Sequence, residues 1–180
     1  MRLASLILKI FGWKVTVTVP DFPKCIICVA PHTSNLDFII GKLAYASIGR
    51  KAGFLMKSAW FFFPFGIFFR AIGGVPVYRD KNKGNLTQQL ISRYNSSDKL
   101  TLAITPEGTR SLTTRWHTGF LHIAYETKTP IVLGVIDFRL KEVILTHVFT
   151  PTGNPEADLR SVKDYYRPFT GRYPEKFSTD

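Results

Sequence analysis

The apolar run Cys25-Ile26-Ile27-Cys28-Val29-Ala30 is rich in β-branched residues and closed by Pro31, and such a run reads as a buried strand. It places the polar stretch Pro31-His32-Thr33-Ser34-Asn35-Leu36-Asp37 just past a strand end, where α/β proteins usually carry their chemistry. His32 and Asp37 stand five residues apart. On a continuous helix that separation turns the chain by roughly 500° and leaves the two side chains about 140° apart. They can meet if His32 lies in the loop and Thr33, Ser34 or Asn35 caps a helix whose first turn carries Asp37. The helix dipole then keeps the carboxylate ionised, and the carboxylate holds one imidazole nitrogen. The other nitrogen faces outward as a general base. A purely structural pair, a loop histidine bonded to a capping carboxylate, fits the same spacing, so the rest of the chain has to decide.

The rest alternates strand and helix. Lys14 to Val19 reads Lys-Val-Thr-Val-Thr-Val, the period of a half-buried strand. A helix is expected from about Leu36 to Ile48, ending near Gly49, then a short strand Gly53 to Met56 followed by Lys57. Further strands are expected at 75–77, 100–104, 131–136 and 142–148, with helices at 85–94, 120–126 and 158–166. This order predicts a single α/β domain, a mixed central sheet flanked by helices, with no internal repeat. The expected division is an amphipathic N-terminal helix over 1–13, the domain over 14–167 and a loose C-terminal tail over 168–180. Cys25 and Cys28 form a Cys-x-x-Cys inside the expected strand, where positions three apart point to opposite faces. With no second pair to complete a zinc site, they read as core residues, and no metal is implied.

Two features bear on partners. The formal charge is +11, which favours an anionic partner: nucleic acid, an anionic membrane surface or a phosphorylated small molecule. The cations are spread through the chain, without the basic block common in nucleic-acid arms. Trp60-Phe61-Phe62-Phe63-Pro64-Phe65-Gly66-Ile67-Phe68-Phe69 is too short and interrupted to span a bilayer. It reads as core, as a wall for an acyl chain, or as a surface that dips into lipid. The N-terminal stretch 2–13 is likewise too short to span and fits a helix lying on a membrane or on the domain. The expected location is the cytoplasm or the cytoplasmic face of a membrane, with any attachment peripheral.

Strand-end loops carry His32 and Asp37, then Arg79, then Glu107 and Arg110. In an open α/β sheet such loops can converge on one crevice. One base among several cations suggests deprotonation of a hydroxyl on a phosphate-bearing substrate. These stretches also resemble the motifs of the glycerolipid acyltransferases, the 1-acylglycerol-3-phosphate acyltransferase type. His32 to Asp37 is similar to that family's His-x4-Asp motif, and Lys57 through Gly74-Val75-Pro76-Val77-Tyr78-Arg79 to its second block. Thr105-Pro106-Glu107-Gly108-Thr109-Arg110 is similar to its Pro-Glu-Gly-Thr-Arg motif, and Pro130-Ile131-Val132-Leu133-Gly134 to its fourth block. His117 stands where similar short members often carry Lys.

The resemblance implies a glycerol-3-phosphate acyltransferase-like fold and an O-acyltransferase that uses acyl-CoA or acyl-carrier protein as co-substrate, with no cofactor. His32 would take the proton of the acceptor hydroxyl and Asp37 would orient His32. Lys57, Arg79 and Arg110 would bind the acceptor's anion, Glu107 would orient Arg110 or an acceptor hydroxyl, and Gly108 and Thr109 complete the substrate-binding motif. The expected acceptor is a lysophospholipid, by default 1-acyl-glycerol-3-phosphate in phospholipid biosynthesis, with an anionic membrane surface as partner and no nucleic acid. Another lysolipid acceptor, including an amino-acid-containing one, and a thioester or lipid hydrolase are the alternatives. The chain has no Gly-x-Ser-x-Gly elbow, which counts against a lipase.

Overall fold

The computed structural model describes residues 3–78 and 85–180. Helix α1 (Leu3–Ile10) leads to strand β1 (Lys14–Val17), then β2 (Lys24–Ala30), helix α2 (Asn35–Ser47) and β3 (Gly53–Lys57). The order continues through α3 (Phe65–Ala71), β4 (Gly74–Val77), α4 (Leu86–Asn95), β5 (Leu100–Ile104) and α5 (Gly119–Thr127). It closes with β6 (Ile131–Asp137), β7 (Glu142–Phe149) and α6 (Pro155–Tyr166). The strands form one seven-stranded sheet in the order β1-β7-β6-β2-β5-β3-β4. Only the β6–β7 pair is antiparallel among the described residues, so this is the mixed α/β sheet expected from the alternation.

Period-two alternation sorts β2 between two cores. Cys25 and Ile27 face α1 and α2, where Leu8, Ile40 and Ala44 are buried. Ile26, Cys28 and Ala30 face α4, α5 and α6, where Tyr94, Phe120 and Tyr166 are buried. The two cysteines are therefore free, buried and on opposite faces. Each large apolar side chain removed from water in this way is worth about 1.5–3 kcal/mol. Buried hydroxyls brace the centre: Tyr94 donates to the Cys25 carbonyl at 2.9 Å and Tyr166 to the Cys28 carbonyl at 2.6 Å.

One expectation needs correction. The segment after Pro168 is held against the domain. The Thr170 carbonyl accepts from the Phe138 N–H at 2.9 Å, Tyr173 N–H donates to Thr33 Oγ1 at 3.2 Å, and Trp116 Nε1–H donates to the Ser178 carbonyl at 3.2 Å. Phe177 packs on Trp116, so aromatic burial and main-chain bonds offset the cost of ordering this segment. The aromatic block is not core. Trp60, Phe62, Phe65 and Phe68 are exposed, and Phe63 is 83% exposed. Pro64 caps the start of α3, and seven helical residues cannot turn all these rings inward. No helix among the described residues is long and apolar enough to cross a membrane.

Candidate active site

Strands β2 and β5 are neighbours, and Cys28 is level with Ile104. The helix after β2, α2, covers one face of the sheet, and α5, after β5, covers the other. The chain thus departs in opposite directions from adjacent strands, which opens a crevice beyond their carboxyl ends. The loop leaving β2 carries His32 into that crevice, and the loop leaving β5 brings Glu107 up beside the His32 main chain.

Ser34 is the N-cap of α2, with extended backbone at φ −149° and ψ 164°, and Asp37 occupies the third helical position. Asp37 Oδ2 accepts from the Thr33 and Ser34 N–H groups, each at 2.8 Å, and Oδ1 accepts from the Ser34 hydroxyl at 2.7 Å. His32 Nδ1 lies 3.1 Å from Oδ2. An ionised carboxylate only accepts, so Nδ1 carries the proton and Nε2 presents its lone pair. Burial pushes the Asp37 carboxyl up, but hydrogen bonds from His32 and from the Ser34 N–H and hydroxyl outweigh it and leave the group below its usual range. Asp37 is 2% exposed and the His32 side chain 18%, so the carboxylate is sealed while the imidazole reaches the crevice. The loop-and-cap arrangement expected from the five-residue spacing is present.

His32 and Asp37 line a cavity of about 1660 Å³, larger than the roughly 300–1,000 Å³ of ordinary small-molecule pockets. Lys57, Gly108 and Arg110 line it too. Beyond the histidine it is bounded by Phe38, Gly41 and Tyr45 of α2 and by Ile27, Ile136 and Leu145 of the sheet, an apolar arm between helix and sheet. Near β4 and α5 it meets Tyr78, Asn85, Thr87, His117 and His122, polar positions set among Leu86, Leu90 and Phe120 that sequence reasoning did not assemble. No signal in the sequence links these positions, because they come from three separate segments. No residue of the aromatic block lines the cavity, so Phe38 and Phe54, whose rings meet edge to face at 4.5 Å, supply the aromatic wall instead.

The Thr105–Arg110 turn differs from expectation. Glu107 is 5% exposed, and its Oε1 accepts from the His32 N–H at 3.0 Å. Among the described residues, the buried Oε2 has no hydrogen-bond partner and no ion pair joins Glu107 to Arg110. The carboxyl points back under the histidine loop, so it does not orient Arg110. Burial pushes it up to about 8, assisted by the charge on Asp37 and opposed by the His32 N–H. Gly108, at φ +66°, turns the chain there, and a Cβ on it would come within 2.7 Å of the His117 ring. Thr109 does not line the cavity; its hydroxyl accepts from the Ser111 N–H at 3.2 Å. Arg79 lies outside the described residues.

The Acyltransferase family profile matches residues 15–136, which takes in both strand-end loops. The fold is similar to the crystal structure of the 1-acyl-sn-glycerophosphate (LPA) acyltransferase PlsC from Thermotoga maritima. The TM-score is 0.59 at 19% identity, over 92% of this chain and 76% of that one. No curated protein matches the sequence.

Proposed function

The chain belongs to the Acyltransferase family and is an acyltransferase, and from that premise we propose that it transfers a fatty acyl group to the hydroxyl of a lysophospholipid. The donor is acyl-CoA or acyl-carrier protein, and the default acceptor is 1-acyl-glycerol-3-phosphate. The observation that carries the reading is His32, fixed by the ionised Asp37 and lining a large cavity with one apolar arm and the cations Lys57 and Arg110.

The chemistry follows from those positions. His32 Nε2 takes the proton of the acceptor hydroxyl as its oxygen attacks the thioester carbonyl, and Asp37 stabilises the resulting imidazolium. The tetrahedral intermediate expels the thiolate, which receives that proton and leaves as a thiol. The acceptor is the nucleophile, so no acyl-enzyme forms. Lys57, Arg79 and Arg110 hold the acceptor's phosphate, and the apolar arm takes hydrocarbon out of water. The exposed aromatic block and α1, with Leu3 and Ile10 outward, rest on the surface of an anionic membrane, at its cytoplasmic face, where a lysolipid is available.

The test is thiol release from a long-chain acyl-CoA, with and without lysophosphatidic acid, for the wild type and His32→Ala side by side. Acceptor-dependent release that is lost in the variant is expected. Release independent of acceptor would identify a hydrolase. If release is absent, a lysolipid panel with an acyl-carrier-protein donor decides between a different substrate pair and no transfer at all.

A further inference from the structure

Glu107 is one of the buried acids of the chain, and it lies behind the histidine loop, away from the cavity wall. Its Oε1 takes the His32 main-chain N–H, 3.0 Å away, and Oε2 has no partner among the described residues. The turn that carries it is stapled independently: the Gly108 N–H donates to the Thr105 carbonyl at 3.1 Å and the His117 N–H to the Pro106 carbonyl at 2.7 Å. The His117 ring then closes over Gly108. Asp37 fixes the imidazole and takes the Thr33 and Ser34 N–H groups that follow it, whereas the His32 N–H is taken by Glu107. We propose that Glu107 is a positioning residue for the base: its buried carboxyl anchors the main chain of His32 and sets the height of the imidazole over the acceptor hydroxyl. The inference rests on the reading of His32 as the base.

The anchor works in its neutral form. Among the described residues, Asp37 from α2, His32 from the loop, Cys28 from β2 and Tyr166 from α6 are the titratable groups that act on Glu107. None of them is a cation unless His32 is protonated. Desolvation and the Asp37 charge keep the proton on Glu107 up to about pH 8. A neutral carboxyl accepts the His32 N–H through its carbonyl oxygen and leaves one OH unpaired, at lower cost than an unpaired buried charge. Ionisation would set two carboxylates against one another on either side of the histidine loop, a repulsion that works against the placed loop while the His32 N–H bond itself favours the charged form.

The test compares wild type, Glu107→Gln and Glu107→Leu in acyl transfer, with His32→Ala alongside, over about pH 6 to 9, where a base and this carboxyl both report. Glu107→Gln keeps a neutral acceptor of the same shape and is expected to hold kcat and acceptor KM within a few-fold. The wild type is expected to lose rate as pH rises above about 8, and this alkaline limb should be missing in Glu107→Gln. Glu107→Leu should lower kcat by about 10–100-fold through misplacement of the base, with acceptor KM little changed. An alkaline limb that persists in Glu107→Gln overturns the proposal. So does a Glu107→Leu variant that keeps kcat and raises acceptor KM, which would mark Glu107 as a substrate ligand. Should Glu107→Leu fail to fold, the Glu107→Gln profile decides alone. Transfer that survives in His32→Ala overturns the underlying base assignment instead. The carbonyl stretch of a protonated carboxylic acid at neutral pH, lost in Glu107→Gln, checks the neutral state independently of activity.

Discussion

At the scale of single residues, two carboxyls flank one histidine and are driven in opposite directions. Asp37 is surrounded by N–H and O–H donors and is held below its usual range. Its contribution to stability is therefore present above the unfolded value and lost as pH falls through the lower folded value. Asp37→Ala leaves the Thr33 and Ser34 amides and the His32 Nδ1–H without their acceptor. It should reduce transfer by about 10²–10⁴-fold while leaving a trace, read by the thiol-release assay. Glu107 runs the other way. Its folded value is raised from 4.5 to about 8, so in that window the folded protein keeps a proton that the unfolded chain has released. Stability then falls as pH rises from 4.5 and levels off above about 8. At roughly 1.4 kcal/mol per unit of difference, the penalty reaches several kcal/mol. Glu107→Gln should remove it, so denaturant titrations should find the variant more stable than wild type at pH 8 by about 2–4 kcal/mol. The gap should shrink toward pH 4.5, the ordinary value of this group.

At the scale of elements, α2 does two jobs with one sequence. Its first turn holds Asp37, and its inner face roofs the apolar arm. Gly41 lies in mid-helix, and a Cβ there would meet Ile136 Cδ1 at 3.6 Å, an ordinary contact. Gly41→Ala should therefore raise stability by up to about 1 kcal/mol, the helix-propensity gain, as measured by thermal unfolding. Gly41→Leu would extend into the arm instead, and should depress transfer from long-chain donors more than from short-chain ones. The C-terminal segment offers a second test. A Cβ on Gly171 would come within 2.8 Å of Thr33 and 3.1 Å of Pro31, both in the histidine loop. Gly171→Val should displace that loop and cost about tenfold or more in kcat, since misplacement by an ångström reaches about 10²-fold.

At the scale of the whole molecule, charge and exposed apolar surface act together. A net charge of +11 attracts an anionic surface, but that attraction is screened within about 8 Å at physiological ionic strength. Phe63, Phe65, Ile67 and Phe68 provide an apolar contribution that salt does not screen. Co-sedimentation with anionic vesicles should weaken as salt rises and level off above zero. Phe63→Glu should remove most of the salt-resistant part, and binding that is unaffected by either change would contradict a membrane-surface enzyme.

Features that depend on near neighbours are legible along the chain. Strand and helix positions followed from β-branched runs, alternation and caps, because hydrogen bonding and side-chain direction are set within a few residues. The His32–Asp37 pair was legible for the same reason: both groups belong to one loop and the first turn of one helix. Only the tertiary structure decided which distant segments meet. Glu107 faces the His32 main chain because β5 inserts beside β2, and no local preference of residues 100–110 specifies that neighbour. The packing of the segment after Pro168 depends on Trp116 and Thr33, far away in the chain. The exposure of the aromatic block and the cavity beneath α2 likewise depend on which faces remain after the two cores close. Hydrophobic burial is non-directional; composition can say that these rings seek cover, but only the assembled sheet and helices determine which ones receive it.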